Sequence, residues 1–267
     1  MPSAGCDYFV RCGWTHRKES LEECTDKSWE FLKEYLAIVP YPMVPFYAYK
    51  FKGKQDNLDR DFVYQALKKG VNRQDMPPRP VIPELGYSLS LHTKQPNSND
   101  IRIHCGCYGE YTWNSVMIAF PFENEETRLF YQKEFLRKTF ELVIHIWNPH
   151  YGVIMNSALG DATDQYDNKI IQVDDISELD DDDDQLDDEK IELHVGWLTY
   201  LSSIYGELPK LPDWADVTKI EGRGTIISAT EHLANSQNQD DVLKVSELLA
   251  ILDPFYKKVK NRERSED

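Results

Sequence analysis

The sequence predicts an α+β fold, a mostly antiparallel sheet with helices packed against it, on three observations. Runs of period two and runs of helical period follow one another without the strand–helix–strand alternation of a parallel sheet. Two neighbouring strand candidates, Tyr87 to Leu91 and Ile101 to Cys107, are joined by Gln95 to Asp100, turn chemistry too short for a parallel crossover. The 267 residues, 41% hydrophobic, supply ample material for a continuous core.

Tyr8 to Trp14 predicts a first strand, and Ser20-Leu21-Glu22-Glu23 has the Ser-x-x-Glu form of a capping box. Leu21, Cys24, Ser28, Phe31, Leu32, Tyr35 and Val39 recur at helical spacing until Pro40 and Pro42 end the run. Phe46 to Phe51 is aromatic enough for a strand. Asn57 or Asp59 then caps a helix through Phe62, Val63, Ala66 and Leu67 to Gly70. Pro77 to Pro83 is a loop. Tyr87, Leu89 and Leu91 alternate with Ser88, Ser90 and His92, and Ile101, Ile103, Cys105 and Cys107 with Arg102, His104 and Gly106, which predicts an antiparallel pair.

Val116 to Phe120 is a further strand, and Glu125 to Trp147 is expected to be the longest helix, stopped by Pro149. Tyr151 to Met155 and Val195 to Leu201 read as strands, Val217 to Thr230 as a hairpin turning on Gly222-Arg223-Gly224, and Asp241 to Leu252 as a last helix capped by Asp240 or Asp241. Residues 1–256 are expected to form one domain, interrupted near 160–190. Lys257 to Asp267 is expected to be a charged, frayed tail.

The interruption is acidic. Between Asp174 and Glu189 lie eleven carboxylates and no basic residue: Asp174, Asp175, Glu178, Asp180, Asp181, Asp182, Asp183, Asp184, Asp187, Asp188 and Glu189. They account for most of the net charge of −16. Adjacent carboxylates have nothing to offset their desolvation, so this stretch is expected to stay solvated and disordered, either as a solubilising linker or as a contact for a partner. Nucleic acid and anionic membrane are excluded as partners, because phosphate binding draws on Lys and Arg. A basic protein is the expected partner, and the acidic residues are its candidate contacts.

Cys6, Cys12, Cys24, Cys105 and Cys107 are an odd number, no charged-then-apolar leader precedes Tyr8, and no apolar run approaches the ~18 residues of a membrane span. These features predict a soluble cytoplasmic protein with reduced thiols.

No catalytic, cofactor or metal site is predicted. Cys105 and Cys107 beside His104, with Cys12 and His16 in reserve, come nearest to a metal site. On a strand, however, both cysteines share a face with Ile101 and Ile103 while His104 points away, which favours buried thiols. The chain lacks a Gly-x-Ser-x-Gly elbow, a His-Glu-x-x-His pair, a Walker loop and a Gly-x-Gly-x-x-Gly fingerprint. Asp167-Asn168-Lys169 has a nuclease-like Asp-x-Lys form, but it sits in a polar stretch of an anionic chain. His16, His92, His145, His150, His194 and His232 show no paired spacing. The acidic run lacks the Gly turn and spaced ligands of a calcium loop. Tyr41, Phe46, Tyr47 and Tyr49, beside Pro42 and Pro45, place some rings near the surface.

Gly13-Trp14-Thr15-His16-Arg17-Lys18-Glu19-Ser20-Leu21-Glu22-Glu23-Cys24 with Phe31-Leu32, then Val195-Gly196-Trp197-Leu198-Thr199-Tyr200-Leu201 with Leu208-Pro209-x-Leu211-Pro212, Gly224-Thr225-Ile226-Ile227 and the Asp241-Val242 helix, resemble the immunity protein 52 family of bacteria. The resemblance implies an antitoxin for a polymorphic or type VI-secreted toxin, often a restriction-endonuclease-like DNase, that acts by binding. Trp14, Trp197 and Tyr200 carry the motif and are expected to face the core. The alternative is a small metal-dependent or hydrolytic enzyme with a cleft of carboxylates and a histidine. A deep pocket with converging carboxylates would favour it.

Overall fold

The computed structural model of the protein describes residues 6–40, 46–48, 58–74, 77–93, 99–109, 113–163 and 193–266. Within them a nine-stranded sheet runs in the order β2-β3-β4-β5-β1-β6-β7-β9-β8. Its strands are β1 (Cys6–Trp14), β2 (Phe46–Ala48), β3 (Tyr87–Thr93), β4 (Asp100–Cys105), β5 (Asn114–Pro121), β6 (Tyr151–Asn156), β7 (Leu198–Ser202), β8 (Asp216–Ile220) and β9 (Gly224–Ser228). Every neighbouring pair is antiparallel, and with the helices α1 (Leu21–Ile38), α2 (Arg60–Lys69), α3 (Lys133–Trp147), α4 (Ser157–Ala162) and α5 (Gln239–Glu266) the fold is α+β.

Local chemistry starts and stops the helices. Ser20 Oγ accepts from the Glu23 amide at 3.2 Å and Glu23 Oε2 accepts from the Ser20 amide at 2.8 Å, the reciprocal capping box, which also holds the Glu23 carboxyl below its ordinary range. Asp59 caps α2 through the Phe62 amide and Gly70 ends it. The alternation expected of β3 and β4 is present: Leu89, Leu91, Ile101, Ile103 and Cys105 are buried and the residues between them half-buried.

One face of the sheet is covered by helices. α1 lies against α2 and α3, α2 against β3, and α3 against β1, so Val10, Cys12, Trp14, Ile118, Phe120, Phe31, Leu32, Phe140 and Ile144 join one core. Burial of so much apolar surface is the main stabilising contribution. Gly152 is needed there, since a Cβ would sit 2.7 Å from Cys12 Sγ and 2.8 Å from the Phe140 ring of α3. On the opposite face Phe9, Val153, Met155 and Met117 form a smaller cluster. Tyr151 shares that face by strand alternation, and Tyr256 of α5 packs edge-on to it at 6.2 Å and against Tyr205 at 5.3 Å.

The elements depart from expectation in five places. Residues 125–132 do not belong to α3: Arg128–Tyr131 is a single 3₁₀ turn and Gln132 is extended. The Asn124 side chain accepts from the Glu126 and Thr127 amides, and the Thr127 hydroxyl donates to the Phe122 carbonyl, so local polar bonds outcompete the helix. The longest helix is α5, which passes Leu252 and Pro254 and continues to Glu266, where a frayed tail is expected. The anchoring of Tyr256 beyond the proline outweighs the helical bond that Pro254 cannot donate. Neither Asp240 nor Asp241 caps α5: Asp240 lies in the first turn with its amide donating to Asn238 Oδ1, and the buried Asp241 accepts from the Asn235 amide and Asn238 Nδ2. Gly160 lies in α4, which Asn156 caps, and β7 begins at Leu198 rather than Val195.

Candidate interaction surface

The eleven acidic residues from Asp174 to Glu189 lie outside the described residues, as do Asp167-Asn168-Lys169, Tyr41, Pro42, Pro45 and Tyr49. The points where the chain enters and leaves that stretch are defined. Thr163 follows α4, and Leu193 leads into β7. Because Asn156 pairs with Tyr8 and Ile154 with Leu198, both points belong to the sheet end that also holds the start of β1 and the close of β5.

That end is acidic within the described residues too. The loop after β5 exposes Glu123, Glu125 and Glu126 around Phe122, whose side chain is 58% exposed. The sequence reading took Glu125 and Glu126 into a helix and missed the loop, although the Glu123-Asn124-Glu125-Glu126 run after Phe122 was a readable signal. Nearby, His194 is buried, and burial followed by the Arg11 charge pushes its imidazole down to about 4.

Trp14 lies at the opposite end, in a seam with α3, whereas Trp197 stands just before β7 at the first end. Trp14 stacks on Trp147 with centroids 5.3 Å apart, and both are fully buried. The Arg17 guanidinium sits over the Trp14 ring and donates to the carbonyls of Trp147 (2.6 Å) and Asn148 (3.0 Å), while Arg223 Nη1 donates to the Ile144 carbonyl at 3.4 Å. Two arginines thus occupy the carboxyl end of α3, where orphan carbonyls and the helix dipole favour positive charge. His150 Nδ1 lies 3.3 Å from the Thr15 hydroxyl, and burial followed by the Arg17 charge pushes His150 down to about 4. Trp197 Nε1 donates to the Thr230 carbonyl and the Tyr200 hydroxyl to the Arg223 carbonyl. Trp14, Trp197 and Tyr200 therefore build the fold, as expected.

Cys105 and Cys107 are buried free thiols, as are Cys12 and Cys24. The reason offered for separating Cys107 from His104 needs correction. The strand ends at Cys105, Gly106 turns the chain at φ +73°, and Cys107 Sγ and His104 Nε2 each come within 3.2 Å of the Leu85 carbonyl. Burial pushes the Cys107 thiol up to about 12 and raises those of Cys12 and Cys105 as well, so none is poised as a thiolate ligand. Among the described residues no group of three or more His, Cys, Asp or Glu side chains is placed to hold a metal ion. His16, His145 and His232 are exposed, and the half-buried His92 stacks on Tyr47.

An open groove of about 560 Å³ lies between the segment from Ser203 to Leu211 and the β8–β9 hairpin. Leu201, Leu208, Pro209, Leu211, Val217 and Ile220 supply its apolar wall, Glu207, Lys219, Glu221 and Arg223 its charged rim, and no histidine lines it. Such a surface suits contact with another chain. Among the described residues no helix is long and apolar enough to cross a membrane.

The sequence matches the Immunity protein 52 family over residues 7–255, and the chain belongs to that family. Among solved structures, the fold is similar to that of the Pseudomonas aeruginosa T6SS protein PA0821, with a TM-score of 0.51 and 10% identity, over 90% of this chain and 73% of that one. No curated protein matches the sequence.

Proposed function

We propose that the chain is an immunity protein that binds a cognate bacterial toxin in the cytoplasm and neutralises it by occupying a surface the toxin needs. The observation that carries this reading is family membership over nearly the whole chain. The likeness in fold to a T6SS protein agrees with a toxin delivered by type VI secretion. The charge supports a nuclease as the target. A DNA-cutting enzyme must present a basic groove, and a chain of net charge −16 is suited to fast encounter with it. The eleven acidic residues from Asp174 to Glu189 are the proposed steering contacts, and no cofactor or metal takes part.

The product of the adjacent gene, expressed alone, is expected to kill cells and to be harmless when this chain is co-expressed, with the two proteins co-purifying. Turnover of a substrate by the pure chain, lost on changing one side chain, would overturn the reading in favour of an enzyme.

A further inference from the structure

We propose that the groove beside β8 seats an extended segment of the cognate toxin, which adds as a strand to the outer edge of β8 and carries basic side chains on either side of an apolar one. The inference rests on the immunity reading and names the contact it leaves open.

Three observations converge. First, β8 is the last strand of the sheet, and among the described residues no strand pairs with its outer edge. An incoming strand would lie about 4.8 Å away and take up those backbone donors and acceptors. Second, the groove lies on the side an added strand would address. Thr218 faces α3, accepting from Arg137 Nη2 at 2.9 Å, so Val217 and Lys219 face the other way, and both line the groove. Every second side chain of an added strand would therefore project beside Val217, which is 43% exposed, and towards Leu208 and Leu211 across the groove.

Third, the charge around the groove selects the partner. Exposed Glu207, Asp213, Asp216 and Glu221 line or directly flank it, against exposed Lys210 and Lys219. Arg223 does not restore the balance, because its guanidinium is turned to the carboxyl end of α3. The rim is net acidic, which complements Lys or Arg beside the apolar anchor and disfavours a second copy of this acidic chain. The edge is short and charged, as edges that resist indiscriminate pairing are. Leu208, Pro209 and Leu211 of the segment Leu208-Pro209-Lys210-Leu211-Pro212 form the facing wall; Leu208 and Leu211 also pack partly against the core, and the two prolines restrict the segment before binding.

The test uses the full chain and the product of the adjacent gene. Calorimetric affinity is measured for the native chain, for Val217→Lys and for the double change Glu207→Lys with Glu221→Lys, and amide hydrogen exchange is followed in the free and bound native chain. All three positions are exposed, so each variant is expected to melt with the native chain. The expected result is a loss of affinity of about tenfold or more in both variants, with β8 amides newly protected in the complex. Native affinity in both variants with β8 exchange unchanged overturns the groove and leaves the immunity reading intact. A concentration-dependent dimer that Val217→Lys dissolves, with toxin affinity unchanged, overturns it in favour of self-association. Failure of the native chain to bind removes the immunity reading, and the groove assignment falls with it.

Discussion

At the scale of single residues, the seam around Arg17 makes two measurable claims. Arg17 fills orphan carbonyls of α3 and covers the Trp14 ring, so Arg17→Ala is expected to cost about 1–3 kcal/mol in denaturant unfolding. Arg17→Lys should recover only part, because an ammonium cannot span both carbonyls while lying flat on the indole. His150 contributes to the pH behaviour, as the similarly depressed His194 does. The folded pKa of His150, depressed to about 4 first by burial and then by Arg17, lies below the value of about 6.5 expected unfolded. Between those values the unfolded chain binds more protons, so stability is full above about pH 6.5 and falls as pH drops towards 4. Replacing His150 by Gln should flatten the unfolding free energy over that window by on the order of 1–2 kcal/mol. An unchanged slope would assign the acid sensitivity elsewhere. The role of Arg17 was not legible in the sequence, because its acceptors are backbone carbonyls on a distant helix and a main-chain acceptor leaves no residue type to read.

At the scale of elements, the capping box is the clearest link from sequence to structure. Ser20→Ala removes the acceptor for the Glu23 amide and is expected to cost about 1 kcal/mol, read as a shift in denaturant midpoint at constant slope. A change below a few tenths would mean that packing of Phe31, Leu32 and Tyr35 alone holds the start of α1. Elements signalled by adjacent residues were readable in advance: the box at Ser20, the Asp59 cap, the alternation in β3 and β4, and the hairpin on Gly222. Those decided by distant contacts were not. The passage of α5 through Pro254 depends on Tyr151 and Tyr205, and the loss of the first turns of α3 depends on Asn124 and Thr127 closing a competing turn. The candidate groove was hidden for the same reason, since its walls come from Leu201 to Leu211 and from β8, and only folding brings them together.

At the scale of the whole molecule, charge and shape separate two roles. Under the immunity reading, the acidic run from Asp174 to Glu189 acts before contact by raising the rate of encounter, and the packed groove acts after it by holding the complex. Replacing Asp180 to Asp184 by Ser is therefore expected to slow association with the toxin by about threefold or more at low salt while leaving dissociation nearly unchanged. Added salt should shrink the difference as the Debye length falls. Equal association rates for the two proteins at low ionic strength would assign the run to solubility alone. The net charge was legible because composition survives any folding. The surface it serves was not, because a surface is a property of three dimensions.

The double arginine clasp on α3 also has a bearing on how the chain is made. One arm of the clasp, Arg17, precedes α3 in the chain, and the other, Arg223, follows it. The carboxyl end of α3 can therefore be half closed once the helix is made, and it is completed only when the β8–β9 hairpin follows.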